Sequence, residues 1–177
     1  MPRLTTGVAV LLLSACGGNP YGYAPQYAPT SDEDAYYESA VEVSYEEARR
    51  DPAGLGDQLI GWFGIVKSVK DLGGGMSLVS MQMHYHQPRH LCAGELDSSC
   101  RVTVSDRSGG PFSARVTLRP EDQSGRDRVY AGSLLKIYGH ATTEYDDDGG
   151  PILAADYYRH WPRNTYVTTT HSRNMRR

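Results

Sequence analysis

The feature that most constrains the fold is a series of short segments rich in Val, Ile, Leu and aromatic residues, separated by glycine-containing turns. These segments cover residues 57–71, 76–86, 100–106, 112–118, 133–145 and 151–161. One of them, FSARVTL, alternates strictly, and we expect its apolar residues to face a core: Phe112, Ala114, Val116 and Leu118. Glycines cluster at 72–75, 109–111 and 146–150, which predicts turns there. Strands of this kind with little helix predict an all-β domain, either a small barrel or a sandwich.

One short helix is expected before the strands. Ser44 and Glu47 match a capping box, and Pro52 would end the helix. In the first strand, Gly61 and Gly64 indicate a bulge or a tight bend.

The first residues are similar to an export signal that ends in a lipid attachment site. Arg3 and the apolar run 7–13 precede Ser14, Ala15 and Cys16. The run is too short to cross a bilayer as a helix, which takes about 20 apolar residues. The stretch Leu-Ser-Ala-Cys resembles the bacterial lipobox, which implies cleavage before Cys16 and its acylation, and several acyl chains make a durable membrane anchor. In lipoproteins with this signal, an aspartate after the cysteine holds the protein at the inner membrane. Gly17 stands at that position here, so the resemblance implies export to the outer membrane. An ordinary cleaved signal with an incidental cysteine is the alternative.

Four regions follow from these patterns. Residues 1–15 are the predicted signal peptide, 16–40 a lipidated and disordered Tyr/Pro-rich tether, 41–165 the barrel, and 166–177 a basic tail. The acidic residues between 32 and 47 and the arginines of the C-terminus are expected to be solvated; contact of the basic C-terminus with anionic lipid is the alternative. The net charge of -3 argues against a nucleic-acid binder.

The remaining cysteines are expected to pair. Cys92 and Cys100 enclose seven residues, and with Cys16 acylated they are left as a pair in an oxidising compartment. We therefore predict a disulfide between them, which would stabilise the fold by about 2–3 kcal/mol.

The stretch HYHQPRHLC is the most suggestive place for chemistry. His84 and His86 would share one face of a strand, and His90 and Cys92 could complete a metal site. Because Cys92 is expected to pair with Cys100, we favour an exposed hairpin end and expect neither a metal nor another cofactor. The chain contains no Gly-x-Ser-x-Gly elbow or ordered triad, so we expect no enzyme.

The strand aromatic residues are expected in the core or in cross-strand pairs, with stacking platforms for a ligand as the alternative: Trp62, Tyr85, Tyr138, Tyr157 and Tyr158.

Several motifs, taken in order, resemble the Slp-type outer-membrane lipoproteins. After the lipobox these are EEARRDPAGLGDQLIGWFGIV, PFSARVTLRPED, and GSLLKIYGH with PILAADYYRHWP. The resemblance implies a compact OB-like barrel on the periplasmic side of the outer membrane, with a structural, stress-related or adaptor role. A membrane contact through the lipid and an envelope protein partner would follow. The alternative is a binding module for a small ligand, a metal ion or a glycan.

Overall fold

The computed structural model describes residues 26–91 and 100–175. Its strands are β1 (Ile60–Gly73), β2 (Met76–His86), β3 (Thr103–Thr117), β4 (Leu134–Tyr145), β5 (Pro151–Trp161) and the short β6 (Val167–Thr168). Its helices are α1 (Asp34–Ser39), α2 (Tyr45–Arg50), α3 (Pro120–Gln123) and α4 (Thr169–Met175), with a 3-10 turn at Ala53–Leu55. No helix in these two stretches has the length and apolar character needed to cross a membrane.

Strands β1 to β5 close into a barrel. The order β2-β1-β4-β5-β3 is completed by pairing between β2 and β3. All neighbours are antiparallel except β3 and β5, which run parallel. The barrel is OB-like. It has a three-strand meander, a helix between β3 and β4, and a parallel contact between β3 and β5. The all-β, OB-like fold expected from the sequence is confirmed.

The interior of the barrel is apolar, as the alternation of FSARVTL predicts. Phe112, Ala114, Val116 and Leu118 are all buried, and they pack with residues of every other barrel strand. The ring of Phe112 meets Trp62 edge-on at 5.4 Å between centroids. This cluster is the main core.

The glycines at 109 and 110 do not form the predicted turn. Strand β3 runs without interruption from Thr103 to Thr117. A Cβ at Gly110 would lie 2.2 Å from Cζ of Tyr45, the first residue of α2. The glycines are therefore needed because the Tyr45 ring crosses the strand at close range, and the hydroxyl of that ring donates to the carbonyl of Pro111 at 2.9 Å.

The glycines of β1 also act through close approach. The irregularities in the β1–β2 register fall between Val66 and Ser68 and between Asp71 and Gly73, not at Gly61 or Gly64. A Cβ at Gly64 would lie 2.8 Å from the ring of Phe112. The predicted bulge is thus displaced along the strand.

Helix α2 begins and ends as predicted, but the domain extends beyond 41–165 at both ends. The Ser44 side chain accepts from the Glu47 amide at 3.1 Å. Residues 26–40, assigned to the tether, lie against the barrel instead, because Tyr27 and Glu33 are buried there. The predicted basic tail forms β6 and α4, and α4 is held by Asp106, which accepts from the Thr170 amide at 2.6 Å.

Candidate functional site

Residues 26–41, here called the strap, cross the outer face of the barrel. Backbone pairing holds the strap only near its two ends. Near the start, Gln26 pairs with Arg89 and the Tyr27 amide donates to the Pro88 carbonyl at 3.0 Å. At the other end, the Val41 amide donates to the Leu59 carbonyl at 2.8 Å. Between these points, side chains make the attachment.

The carboxylate of Glu33 is the centre of that attachment. Glu33 is 0% exposed. Its Oε1 accepts from the hydroxyls of Tyr27 and Tyr138, the latter at 2.7 Å. Its Oε2 accepts from Arg159 Nη1 at 2.9 Å and from the Thr30 amide at 3.3 Å. A buried carboxylate is costly unless it is paired and hydrogen-bonded, and every lone pair here has a donor nearby.

Lys136 of β4 lies beneath the strap, inside a ring of aromatic side chains. Its Nζ is 3.5 Å from Oε1 of Glu33, and the side chain is 6% exposed. The ammonium group sits 4.4–5.2 Å from the centroids of four rings, in the range of cation–π interactions. Two rings come from the strap and two from the barrel: Tyr27, Tyr37, Phe63 and Tyr138.

The environment favours an ionised Glu33 and un-ionised tyrosines. Burial alone would raise the pKa of the Glu33 carboxyl, but its hydrogen bonds and the charge of Lys136 outweigh burial and lower it. Burial and the hydrogen bond to Glu33 raise the pKa of the Tyr27 and Tyr138 hydroxyls, which therefore stay donors. Burial lowers the pKa of the Lys136 ammonium to about 8, although Glu33 opposes that shift.

Two histidines flank the Tyr27 ring. His86 is 5.1 Å from Tyr27 between ring centroids and stacks on Phe63 at 4.8 Å, whereas His90 stacks on Tyr27 at 5.5 Å. The Nε2 atoms of both are buried and find no hydrogen-bond partner among the described residues. Burial, together with the charge of Lys136, lowers the pKa of His86 to about 4, and burial also lowers the pKa of His90.

A second apolar cluster surrounds this polar centre on the outside of the barrel. Its buried residues come from the strap, β1, β4 and the chain at and just before β3, and partly buried residues of β1, β5 and the segment after β5 pack against them: Tyr27, Phe63, Val102, Val104 and Leu134, with Ile65, Trp161 and Tyr166. Along β4, Leu135 and Ile137 belong to the main core, so Leu134 and Lys136 must face outward. The site therefore lies on the opposite side of the sheet from the barrel interior.

A separate polar cluster fastens α3 to the barrel. Asp122 accepts from the Tyr158 hydroxyl, from Arg119 Nε at 3.2 Å and, at 2.6 Å, pairs with His160 Nδ1. Burial, with the hydrogen bond to Asp122, raises the pKa of Tyr158 to about 12. Asp122 belongs to the Pro-Glu-Asp connector quoted above, and its position explains why a carboxylate stands there.

The structure separates the histidines named from the sequence. His84 Nδ1 lies 2.8 Å from the carbonyl oxygen of Ser105, while His86 and His90 lie under the strap. In the described residues there is no group of three or more His, Cys, Asp or Glu side chains that could hold a metal ion. Cys16 and Cys92 lie outside the described residues, so the lipid attachment and the bridge to Cys100 stay predictions.

The strand aromatic residues occupy core and cross-strand positions, as expected. Trp62 and Tyr158 belong to the main core, and Tyr138 is fully buried beneath the strap. Tyr157 stacks on Tyr36 of the strap at 4.9 Å. Trp62, Tyr138 and Tyr158 are therefore buried and not open stacking platforms, whereas Tyr85 is only partly buried and lines a groove between the strap and the barrel.

Sequence reasoning missed Glu33, Tyr27, Lys136 and Arg159 as a group. The acidic residues around 33 were expected in solvent, yet Glu33 is buried. One local signal was available, because Thr30 and Glu33 have the spacing of a capping box. That spacing predicts the turn before α1 but not its burial, which depends on Lys136 and Arg159 more than 100 residues away.

The fold and the site together define the class of the protein as an OB-like β-barrel whose outer face is covered by its own N-terminal strap. Comparison with known proteins adds no relative: no family model, no curated protein and no solved structure matches this chain.

Proposed function

We propose that the chain is a non-catalytic lipoprotein of the outer membrane, with a structural or adaptor role of the kind that the Slp-type resemblance implies. The lipobox-like stretch ending at Cys16 supports the anchor. The buried carboxylate of Glu33 is the observation that carries the structural role. It binds Tyr138, Arg159 and Lys136 on the outer face of the barrel and so holds the strap there.

The strap limits how far the barrel can lie from its anchor. Ten peptide units separate Cys16 from Gln26, where the strap begins its pairing with the barrel. At about 3.6 Å per fully extended residue this is at most about 36 Å. An acylated Cys16 would therefore keep the domain close to the membrane, at a distance suited to contacts within the envelope.

The backbone around the predicted disulfide supports that bridge. Leu91 and Arg101, the residues just outside the two cysteines, exchange amide-to-carbonyl hydrogen bonds of 3.0 and 2.8 Å. A Cys92–Cys100 bridge would fit this arrangement and an oxidising compartment.

The experiment is intact-mass analysis of the protein from bacterial membranes, before and after reduction and alkylation. We expect the mass of residues 16–177 plus acyl chains, with two cysteines alkylated only after reduction. The matched control is Cys16→Ala, which should leave the membrane fraction and lose the acyl mass. An unprocessed wild-type chain with free thiols would contradict the proposal.

A small-ligand binding function is the second candidate, and a groove favours it. The groove runs between the strap and the barrel, with a volume of about 670 Å³. Tyr37, Val41, Trp62, Tyr85 and Lys136 are among its walls. Its volume and aromatic lining suit a small molecule such as a sugar.

Titration with N-acetylglucosamine, followed by nuclear magnetic resonance, tests this second function. Binding should shift resonances of Tyr37 and Tyr85, and a Val41→Trp variant, which fills the groove, should abolish the shifts. An unchanged spectrum of the wild type at millimolar sugar would remove the sugar hypothesis.

A further inference from the structure

The barrel face beneath the strap carries positive charge that the barrel itself does not neutralise. Among the described residues, the ion pairs of Lys136 and Arg159 both go to Glu33, which belongs to the strap. Two carboxylates elsewhere in the described chain pair with histidines instead, Asp122 with His160 and Asp156 with His140. Without the strap, Lys136 and Arg159 would lose the carboxylate with which both form ion pairs.

Aromatic side chains surround those cations. Phe63 and Trp161 from the barrel lie 5.8 Å apart between ring centroids, and the Arg159 guanidinium lies 4.7 Å from the Trp161 ring. Tyr27 of the strap approaches Phe63 edge-on at 5.9 Å. Cations next to exposed rings are suited to binding an acidic chain that carries an aromatic residue.

The strap is attached in the way that a peptide ligand is attached to a protein. It pairs with barrel backbone at its ends, and between them Tyr27 and Glu33 are its buried residues. Helix α1, within the strap, buries no side chain. Binding through a few anchor residues and short backbone pairing is the usual pattern for peptide recognition.

We propose that this face is a recognition site for an acidic, tyrosine-containing segment of a protein partner, and that the strap occupies it in the free protein. The proposal rests on the adaptor role proposed above and names the chemistry of its partner. A partner segment that supplies an equivalent carboxylate and tyrosine would compete with the strap for Lys136 and Arg159.

Intramolecular competition sets what a binding experiment should show. A segment joined by a short linker has an effective concentration in the millimolar range, so the strap excludes a weak external peptide. Weakening the strap should therefore expose the site to the same sequence supplied separately. The probe is a fluorescent synthetic peptide of residues 26–41, QYAPTSDEDAYYESAV.

The experiment measures fluorescence anisotropy with the full chain in detergent, comparing the wild type with a Tyr27→Ala, Glu33→Gln double variant. We expect the variant to bind the peptide at least tenfold more tightly than the wild type does. A peptide carrying the same two substitutions should not bind. The matched protein control is Arg115→Ala, which removes an ion pair with Glu144 away from this face and should behave as the wild type.

Two results would overturn the proposal. One is a folded double variant, by far-ultraviolet circular dichroism, that does not bind the peptide. The other is a double variant that fails to fold, because a strap needed for folding is not available for exchange with a partner. Both results are independent of the lipid on Cys16, so they leave the anchoring test above unaffected.

Discussion

The barrel interior and the strapped outer face are built on opposite principles. The interior is an apolar cluster, with Phe112, Leu135 and Ile137 fully buried and no charged residue among them. The outer face has Glu33 and Lys136 almost fully buried at its centre. Removing a side chain from apolar packing leaves a destabilising cavity, whereas removing one partner of a buried ion pair leaves the other charge without compensation. The two regions should therefore fail under different changes.

The largest effect is expected in the interior. Phe112→Ala removes a ring that is 0% exposed and that meets Trp62 and the backbone at Gly64. We expect the free energy of unfolding in urea to fall by about 3–5 kcal/mol, because a cavity is left behind. Val69→Ala, on the exposed part of β1, should change the free energy by less than about 0.5 kcal/mol. Equal effects of the two substitutions would contradict the assignment of the core.

Glu33→Ala should break the outer face while leaving the barrel folded. It leaves Lys136 and Arg159 without their ion-pair partner, and breaking a buried pair costs about 3 kcal/mol or more. The two tryptophans provide separate probes. Trp161→Phe leaves Trp62 in the interior, and Trp62→Phe leaves Trp161 next to Tyr27.

The measurement is a urea titration of each single-tryptophan chain. Glu33→Ala should lower the urea concentration at the midpoint of the transition reported by Trp161 fluorescence. The midpoint reported by Trp62 should fall much less. The same two chains with Glu33 intact serve as controls. If both tryptophans report the same large shift, the strap and the barrel unfold as one unit and the comparison between the regions fails.

Acid should weaken the outer face more than the interior. The folded chain disfavours protonation of His86, whose pKa falls from 6.5 to about 4. As the pH falls below 6.5, the unfolded chain binds this proton before the folded chain does. The free energy of unfolding is therefore highest above pH 6.5 and falls towards pH 4, by at most about 3 kcal/mol. The pKa of Glu33 is lowered from 4.5 in the folded chain, so protonation of the unfolded chain causes a further loss of stability below pH 4.5.

Urea unfolding between pH 7 and pH 4 measures this loss. His86→Gln should flatten the fall in stability between pH 6.5 and 4, whereas His171→Gln, at an exposed position of α4, should leave it unchanged. A wild-type stability that is constant across that range would contradict the burial of a neutral His86.

The smallest effect is expected for a charged pair that belongs to neither region. Arg115 and Glu144 form an ion pair with side chains 33% and 59% exposed. Arg115→Ala should cost less than about 1 kcal/mol, and less still in high salt, since solvent screens exposed charges. A loss as large as that of Glu33→Ala would show that burial does not decide the strength of these pairs.

The sequence predicts the interior better than the outer face for a physical reason. Alternation along one strand is a local pattern, so the buried set in FSARVTL could be identified from the sequence alone. The continuity of β3 through Gly109 and Gly110 was not predictable, because it depends on Tyr45 crossing from another element. Glu33, Lys136 and Arg159 meet only after the barrel has closed, and each alone has the pattern of an ordinary surface charge.

The most direct test of the two-region account is native-state hydrogen exchange on the wild type and on Glu33→Gln. The amides of Tyr27 and Val41, which donate to Pro88 and Leu59, report opening of the strap. Amides within β4 report opening of the barrel. The account predicts a lower opening free energy for the strap amides, lowered further in the variant while the β4 amides stay unchanged. Identical opening free energies for both sets, shifting together in Glu33→Gln, would contradict it.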